Sequence, residues 1–154
     1  MTEFFIKLAA NRTFIVTLIA WAIAQTIKVI LGVITERKFN FRWFVGTGGM
    51  PSSHSAGASA LATSVALSYG ADSALFAVCL VFAFVAMFDA QSARRAVGRQ
   101  AEALNKIIAD LYKKKGVKQD RLMELIGHTP IQVLVGAAMG IAIALFYHGL
   151  VVVK

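Results

Sequence analysis

The chain has 154 residues, of which 58% are hydrophobic and 16% charged, with a formal net charge of +8. Soluble domains carry about 25% charged residues. Here long uncharged runs alternate with short basic ones, which excludes an ordinary water-soluble domain and leaves a single membrane domain over 1–154. Basic residues interleave with acids rather than forming a stripe with exposed aromatics, so no nucleic-acid partner is expected.

A span needs roughly 20 mainly apolar residues. The first candidate runs from about 13 to 34, interrupted only by Gln25 and Lys28. It is too long for the apolar core of a signal peptide and holds a lysine, so it reads as a retained span. Lys28 is either a functional intramembrane charge or a side chain that snorkels to the interface.

Next comes Gly46-Thr47-Gly48-Gly49-Met50-Pro51-Ser52-Ser53-His54-Ser55-Ala56. Glycines precede a proline suited to a first helical turn, followed by hydroxyls and a histidine. Backbone N–H groups and the positive dipole end at such a helix start make a seat for phosphate. The second span, about 51 to 69, is built from Ala, Ser and Gly, with Ala56, Ala60, Ser64 and Ser68 at helical spacing. Such a stripe lets backbones approach closely in lipid, which predicts a central, protein-surrounded helix.

The third span, about 73 to 93, is rich in Val, Phe and Ala and ends near Asp89. Its cysteine, Cys79, is the only one in the chain and reads as a small packed hydrophobe. Asp89 most simply pairs with Arg94 or Arg95, although Arg95 equally suits a phosphate ligand. Residues 94–127 are polar. Val97, Ala101, Leu104, Ile108 and Leu111 form one apolar stripe there, with Arg99, Glu102, Lys106 and Asp110 off it, which predicts an amphipathic interfacial helix. Lys113-Lys114-Lys115-Gly116 suits its C-terminus.

In Gly127-His128-Thr129-Pro130-Ile131-Gln132, Thr129 is the expected N-cap, Pro130 the first helical residue, and Gln132 completes a capping box. The fourth span follows, about 130 to 153. Gly136 and Gly140 have small-xxx-small spacing, which serves either a homodimer seam or close packing inside the bundle. His148 reads as a hydrogen-bonded boundary residue. His54 and His128 both stand where a span begins on the same, basic side of the membrane.

The fold class that follows is all-α: an integral membrane bundle of about four transmembrane helices plus an amphipathic interfacial helix. The first and third inter-span loops hold twelve basic residues (Arg37, Lys38 and Arg42; nine between 94 and 121), while the second, near Asp72, holds none. The positive-inside rule makes the basic side cytoplasmic, against only Lys7, Arg12 and Lys154 near the ends. A bacterial inner membrane and attraction of anionic lipids to the basic face follow.

At these residues the chain resembles the type 2 phosphatidic acid phosphatase superfamily, which includes the vanadium haloperoxidases. Pro51-Ser52-Ser53-His54 is similar to its P-S-G-H motif, and Gly127-His128-Thr129-Pro130-Ile131-Gln132-Val133 to its third motif. The combination of G-G-M-P-S-S-H-S-A, D-A-x-x-x-R-R-A-x-G-x-Q-A and G-H-T-P-x-Q-V is most similar to the small divergent branch, over about 25 to 140. The resemblance implies a membrane phosphatase that needs neither metal nor other cofactor. It acts on a lipid phosphate or pyrophosphate through a phosphohistidine. Polyprenyl, phosphatidic and phosphatidylglycerol phosphates all suit a site fed from the bilayer.

Carried over, His128 is the nucleophile, His54 the general acid, and Ser53 with the following turn a phosphate ligand, with Ser52 beside it. Lys28 is a loose stand-in for the first motif's lysine. Leu122 stands where the superfamily has an arginine six residues before the nucleophile, so Arg94 and Arg95 are phosphate-ligand candidates that fit the motif only if 96–120 is an insertion. The chain departs from the pattern in lacking K-x6-R-P. It also has Gln132 where the superfamily places a carboxylate to orient the nucleophile, which leaves Asp89, or Glu124, as the candidate orienting carboxylate. A non-catalytic lipid- or phosphate-binding, transport-associated protein of the same fold is the competing expectation.

Overall fold

In the computed structural model the protein is described over residues 1–37, 49–113 and 128–152. Six helices occur among them: α1 Thr2–Ala9, α2 Arg12–Glu36, α3 Ser53–Tyr69, α4 Ala74–Gln91, α5 Ala93–Lys113 and α6 Pro130–Val152. No strand occurs in the described residues, and the chain is an all-α membrane bundle. Among the described residues three helical runs are long and apolar enough to cross a membrane: Arg12–Thr35, Ala74–Ala109 and Pro130–Leu150. The second, at 1.5 Å per residue, is far longer than a hydrocarbon core about 30 Å thick. Of its two helices α4 is the apolar one, with Asp89 its single charge, while α5 carries the basic residues.

The helix boundaries follow local chemistry. Asn11 caps α2 by accepting the Phe14 N–H at 3.1 Å, and Ser73 caps α4 by accepting the Phe76 N–H at 3.2 Å. Helix α1 is an element the sequence reading did not include. None of its residues is buried, and Phe4, Phe5 and Ile6 are exposed beside the Lys7–Glu3 pair.

Helix α3 is the hub of the bundle and touches α2, α4 and α6. Ten of its residues are buried, all of them Ser, Ala or Gly except Val65. The large apolar residues are on the outside: Val78, Phe82, Phe84, Val85 and Phe88 of α4 and Ile131, Leu134 and Phe146 of α6 are exposed, while α4 turns Cys79, Ala83 and Ala90 inward. Lipid is as apolar as leucine, so burying a large side chain brings little gain. Close backbone approach through small residues is what holds the helices together.

Helices α3 and α6 run parallel from a common end, with partners separated by a constant 84 positions: Ser52 opposite Gly136, Ala56 opposite Gly140, Ala60 with Ala144 and Ser64 bonded to His148. A Cβ on Gly136 would meet the Ser52 carbonyl oxygen, and one on Gly140 the Ala56 carbonyl oxygen. Of the two uses foreseen for this glycine pair, the one realised is packing within the chain. The glycine face is filled by α3 and is not left open as a homodimer seam. Ser59 crosses the same gap and donates to the Ala137 carbonyl at 3.0 Å.

The stripe foreseen on α5 is divided. Of its described members Ala101 is buried, Ile108 half-buried, and Val97 and Leu104 exposed, while Gly98 and Asn105, off the stripe, are buried beside Ala101. The smallest residues again face protein. The lysine-rich stop expected at 114–116 lies outside the described residues.

Candidate functional site

The start of α3 is built from a glycine turn and a serine cap. Gly49 has φ +83°, in the left-handed region that favours glycine. Two residues beyond Met50, Ser52 is the N-cap, its Oγ accepting from the Ser55 N–H at 3.3 Å and from the Ser55 hydroxyl at 3.0 Å. Pro51, expected in the first helical turn, therefore stands before the helix, because serine can cap and proline cannot. The Ser52 hydroxyl, expected on a phosphate, is fully buried and engaged by the cap, and Ser53 is buried beside it. What this turn offers outward is the first-turn amides of Ser53 and His54, which point out of the helix end.

The start of α6 forms the expected capping box. Gln132 N–H reaches Thr129 Oγ1 at 3.4 Å, and Thr129 N–H donates to Gln132 Oε1 at 3.0 Å. The box also serves its neighbour, since the same Oε1 lies 3.3 Å from Nδ1 of His128. Backbone bonds fasten this turn to two other helices. His128 N–H donates to the Ala90 carbonyl of α4 at 3.0 Å, and Ser52 N–H donates to the Gln132 carbonyl at 3.1 Å. Nothing in the sequence pointed to Ala90, whose contribution is a main-chain oxygen.

The two imidazoles meet where these helix starts meet. The rings of His54 and His128 are 6.2 Å apart, centroid to centroid, in an edge-to-face arrangement with 61° between planes. His54 is exposed and His128 is 1% exposed, so one ring stands at the rim and the other behind it. A phosphorus about 3–3.5 Å from an attacking nitrogen, with an acid about 3 Å from the leaving oxygen, needs a gap of this order.

Lys28 belongs to the same end. Val16, Ala20, Ala24 and Lys28 form the buried stripe of α2 at steps of four, which turns the lysine into the bundle; at 8% exposure it does not snorkel outward. Its stem lies against Gly49, where an added Cβ would stand 3.0 Å from Cγ and 3.1 Å from Cδ. Asp89 is exposed on α4, next to the Ala90 that holds His128. The group beside Nδ1 of His128, where the sequence offers a carboxylate such as Asp89, is the Gln132 amide oxygen at 3.3 Å. Arg94 and Arg95 start α5, and their side chains lie outside what the structure describes. Among the described residues no group of three or more His, Cys, Asp or Glu is placed to hold a metal.

The electrostatics favour an anion. Each helix N-terminus carries roughly half a positive charge. Here two parallel helices bring such ends together, with a lysine packed on the adjoining turn. At the opposite end of α3, the third histidine is bonded inside the bundle: His148 Nε2 is 2.8 Å from Ser64 Oγ, which donates to Thr13 Oγ1 at 3.3 Å. A cavity of about 330 Å³ at that end is lined by Thr13, Phe14, Leu61, Val65, Tyr69 and Leu75 among others.

Comparison with known proteins adds two findings. Residues 9–143 match the family described as the divergent PAP2 family. The chain is also 42% identical, over 150 residues, to the uncharacterized membrane protein YuiD of Bacillus subtilis (strain 168), covering 90% of this chain and 95% of that protein. No solved structure matches the chain.

Proposed function

The chain belongs to the divergent PAP2 family, and we propose that it is a metal-independent membrane phosphatase acting on a lipid phosphate or pyrophosphate through a phosphohistidine. The observation that carries this reading is the His54–His128 pair, 6.2 Å apart between two helix N-termini that run parallel from one end of the bundle. Adjacent parallel dipoles repel each other at their positive ends, and a bound phosphate relieves that repulsion.

In the first step the His128 Nε2 lone pair attacks phosphorus and the phosphorus–oxygen bond to the lipid breaks. Protonated His54 gives its proton to the leaving oxygen. Water then attacks the phosphohistidine, neutral His54 takes the water's proton, the phosphorus–nitrogen bond breaks, and phosphate leaves. The Lys28 ammonium and the first-turn amides of Ser53 and His54 stabilise the equatorial oxygens, where phosphoryl transfer draws most of its catalysis. Arg94 and Arg95 are assigned to the same phosphate by guanidinium chemistry and their place at the start of α5.

The site faces the cytoplasmic side of a bacterial inner membrane, where the basic loops attract anionic lipid. Its substrate reaches it laterally from the inner leaflet. The burial of His128 favours a second reading, a protein that binds a lipid phosphate without turning it over. One experiment separates the two: phosphate release by the purified protein from a panel of lipid phosphates and pyrophosphates, with EDTA present. Release in EDTA, inhibited by orthovanadate, supports the phosphatase; saturable binding with no release supports the second reading.

A further inference from the structure

We propose that Gln132 is a positioning residue that holds His128 as the Nδ1–H tautomer, with the lone pair on Nε2, the attacking nitrogen, a neutral amide standing where the superfamily motif places a carboxylate. The role in turnover rests on the phosphatase reading; the tautomer assignment stands on geometry alone.

The argument begins with an atom that can only donate. The Thr129 backbone N–H is 3.0 Å from the end of the Gln132 side chain, so the atom facing it is the amide oxygen and not the NH₂. With the amide orientation fixed in this way, the same oxygen lies 3.3 Å from Nδ1 of His128. An oxygen without hydrogen cannot donate, so Nδ1 carries the proton. A neutral imidazole has one N–H and one lone pair, and the lone pair is then on Nε2.

The support is rigid at both ends. Gln132 is anchored by its own N–H on Thr129 Oγ1 and by its carbonyl on Ser52 N–H, and the His128 backbone is anchored on Ala90. The capping box is therefore also the orienting device: helix geometry sets the side chain at the fourth position of the box, and that side chain sets the histidine tautomer.

An amide does part of what a carboxylate does. It selects the tautomer and fixes the ring plane, but it adds no negative charge beside an incoming phosphate and does not favour the imidazolium. That division suits a ring already enclosed by two positive helix ends, where the demand is for a neutral, oriented nitrogen.

The test uses ¹⁵N-histidine spectra of the full-length protein in detergent micelles at a pH where the rings are neutral, with His128 assigned through H128A. Wild type is expected to show a pure Nδ1–H tautomer at His128. Q132M, which removes the acceptor, should give a mixture or the Nε2–H form. Q132E and T129V should keep the wild-type tautomer, because the first retains both the acceptor and a capping residue and the second retains Gln132. On an active lipid phosphate, Q132M should lose at least ~10-fold in kcat, with KM within about twofold, and Q132E should recover most of that loss.

A wild-type His128 tautomer in folded Q132M overturns the proposal. So does a shifted tautomer in Q132M with undiminished kcat. If the tautomers behave as expected but wild type releases no phosphate from any substrate, the phosphatase reading falls and the orienting role of Gln132 remains. Should Q132M fail to fold, Q132E decides through its tautomer, and an Nε2–H form there overturns the assignment.

Discussion

Gly140→Ala isolates the close approach of α3 and α6. Placing a methyl group there drives it against the Ala56 carbonyl oxygen and Ser59 Oγ. The first obstacle is backbone and cannot swing aside, so the two helices must separate locally. Overpacking of this kind costs about 1–3 kcal/mol, and a backbone obstacle puts the value in the upper half of that range. Separation also stretches the Ser59–Ala137 hydrogen bond, worth about 0.6 kcal/mol between membrane helices. Against this, alanine is favoured over glycine in a helix interior by up to about 1 kcal/mol. The net expectation is a loss of about 2 kcal/mol. Gly149→Ala on the same helix is the matched control, since nothing lies within 4 Å of its added Cβ. It should be neutral or gain up to about 1 kcal/mol. Unfolding in mixed micelles with increasing SDS fraction, followed by far-UV circular dichroism, measures both. G140A at or above the stability of G149A would refute the reasoning that backbone contact limits this interface.

His128→Ala should abolish phosphate release while the protein remains folded and still binds phosphate; undiminished release would move the nucleophile elsewhere. His54→Ala should slow good leaving groups less than poor ones, which a series of substituted phenyl phosphates reads out directly. Gly49→Ala should lose about 1–2 kcal/mol, because alanine at that positive φ is strained, and it should raise KM by displacing the Lys28 stem. Unchanged stability and KM would detach Lys28 from the site. With Cys79 replaced by alanine, a cysteine at Lys114 in intact cells should resist an impermeant thiol reagent and one at Asp72 should react. The reverse pattern would place the site on the outer face and the substrate in the outer leaflet.

The sequence by itself determined that the chain is a membrane bundle, because uncharged runs of about 20 residues have few other uses and periodicity reads them directly. It also marked the centre of the bundle, since α3 carries Ala, Ser and Gly where a lipid-facing helix carries Val and Phe. The capping box at Thr129 and Gln132 was legible because capping depends on residues three apart and on nothing distant. Local rules failed where two signals competed. Pro51 suits a first turn, yet Ser52 takes the cap and moves the start of α3 to Ser53.

What only the tertiary structure decided is which groups meet. Periodicity put Lys28 on a helix face but did not say whether that face met protein or lipid; the packing of α2 on α3 turned it inward, onto Gly49. The glycines of α6 carried the same spacing for a dimer as for internal packing, and the parallel register with α3 resolved the choice. The partner of Nδ1 on His128 was four residues away in the chain, in a side chain already explained as a cap. Its second role rests on a ring orientation that the sequence does not encode locally: the His128 backbone is tied to Ala90, on a helix that ends far earlier in the chain.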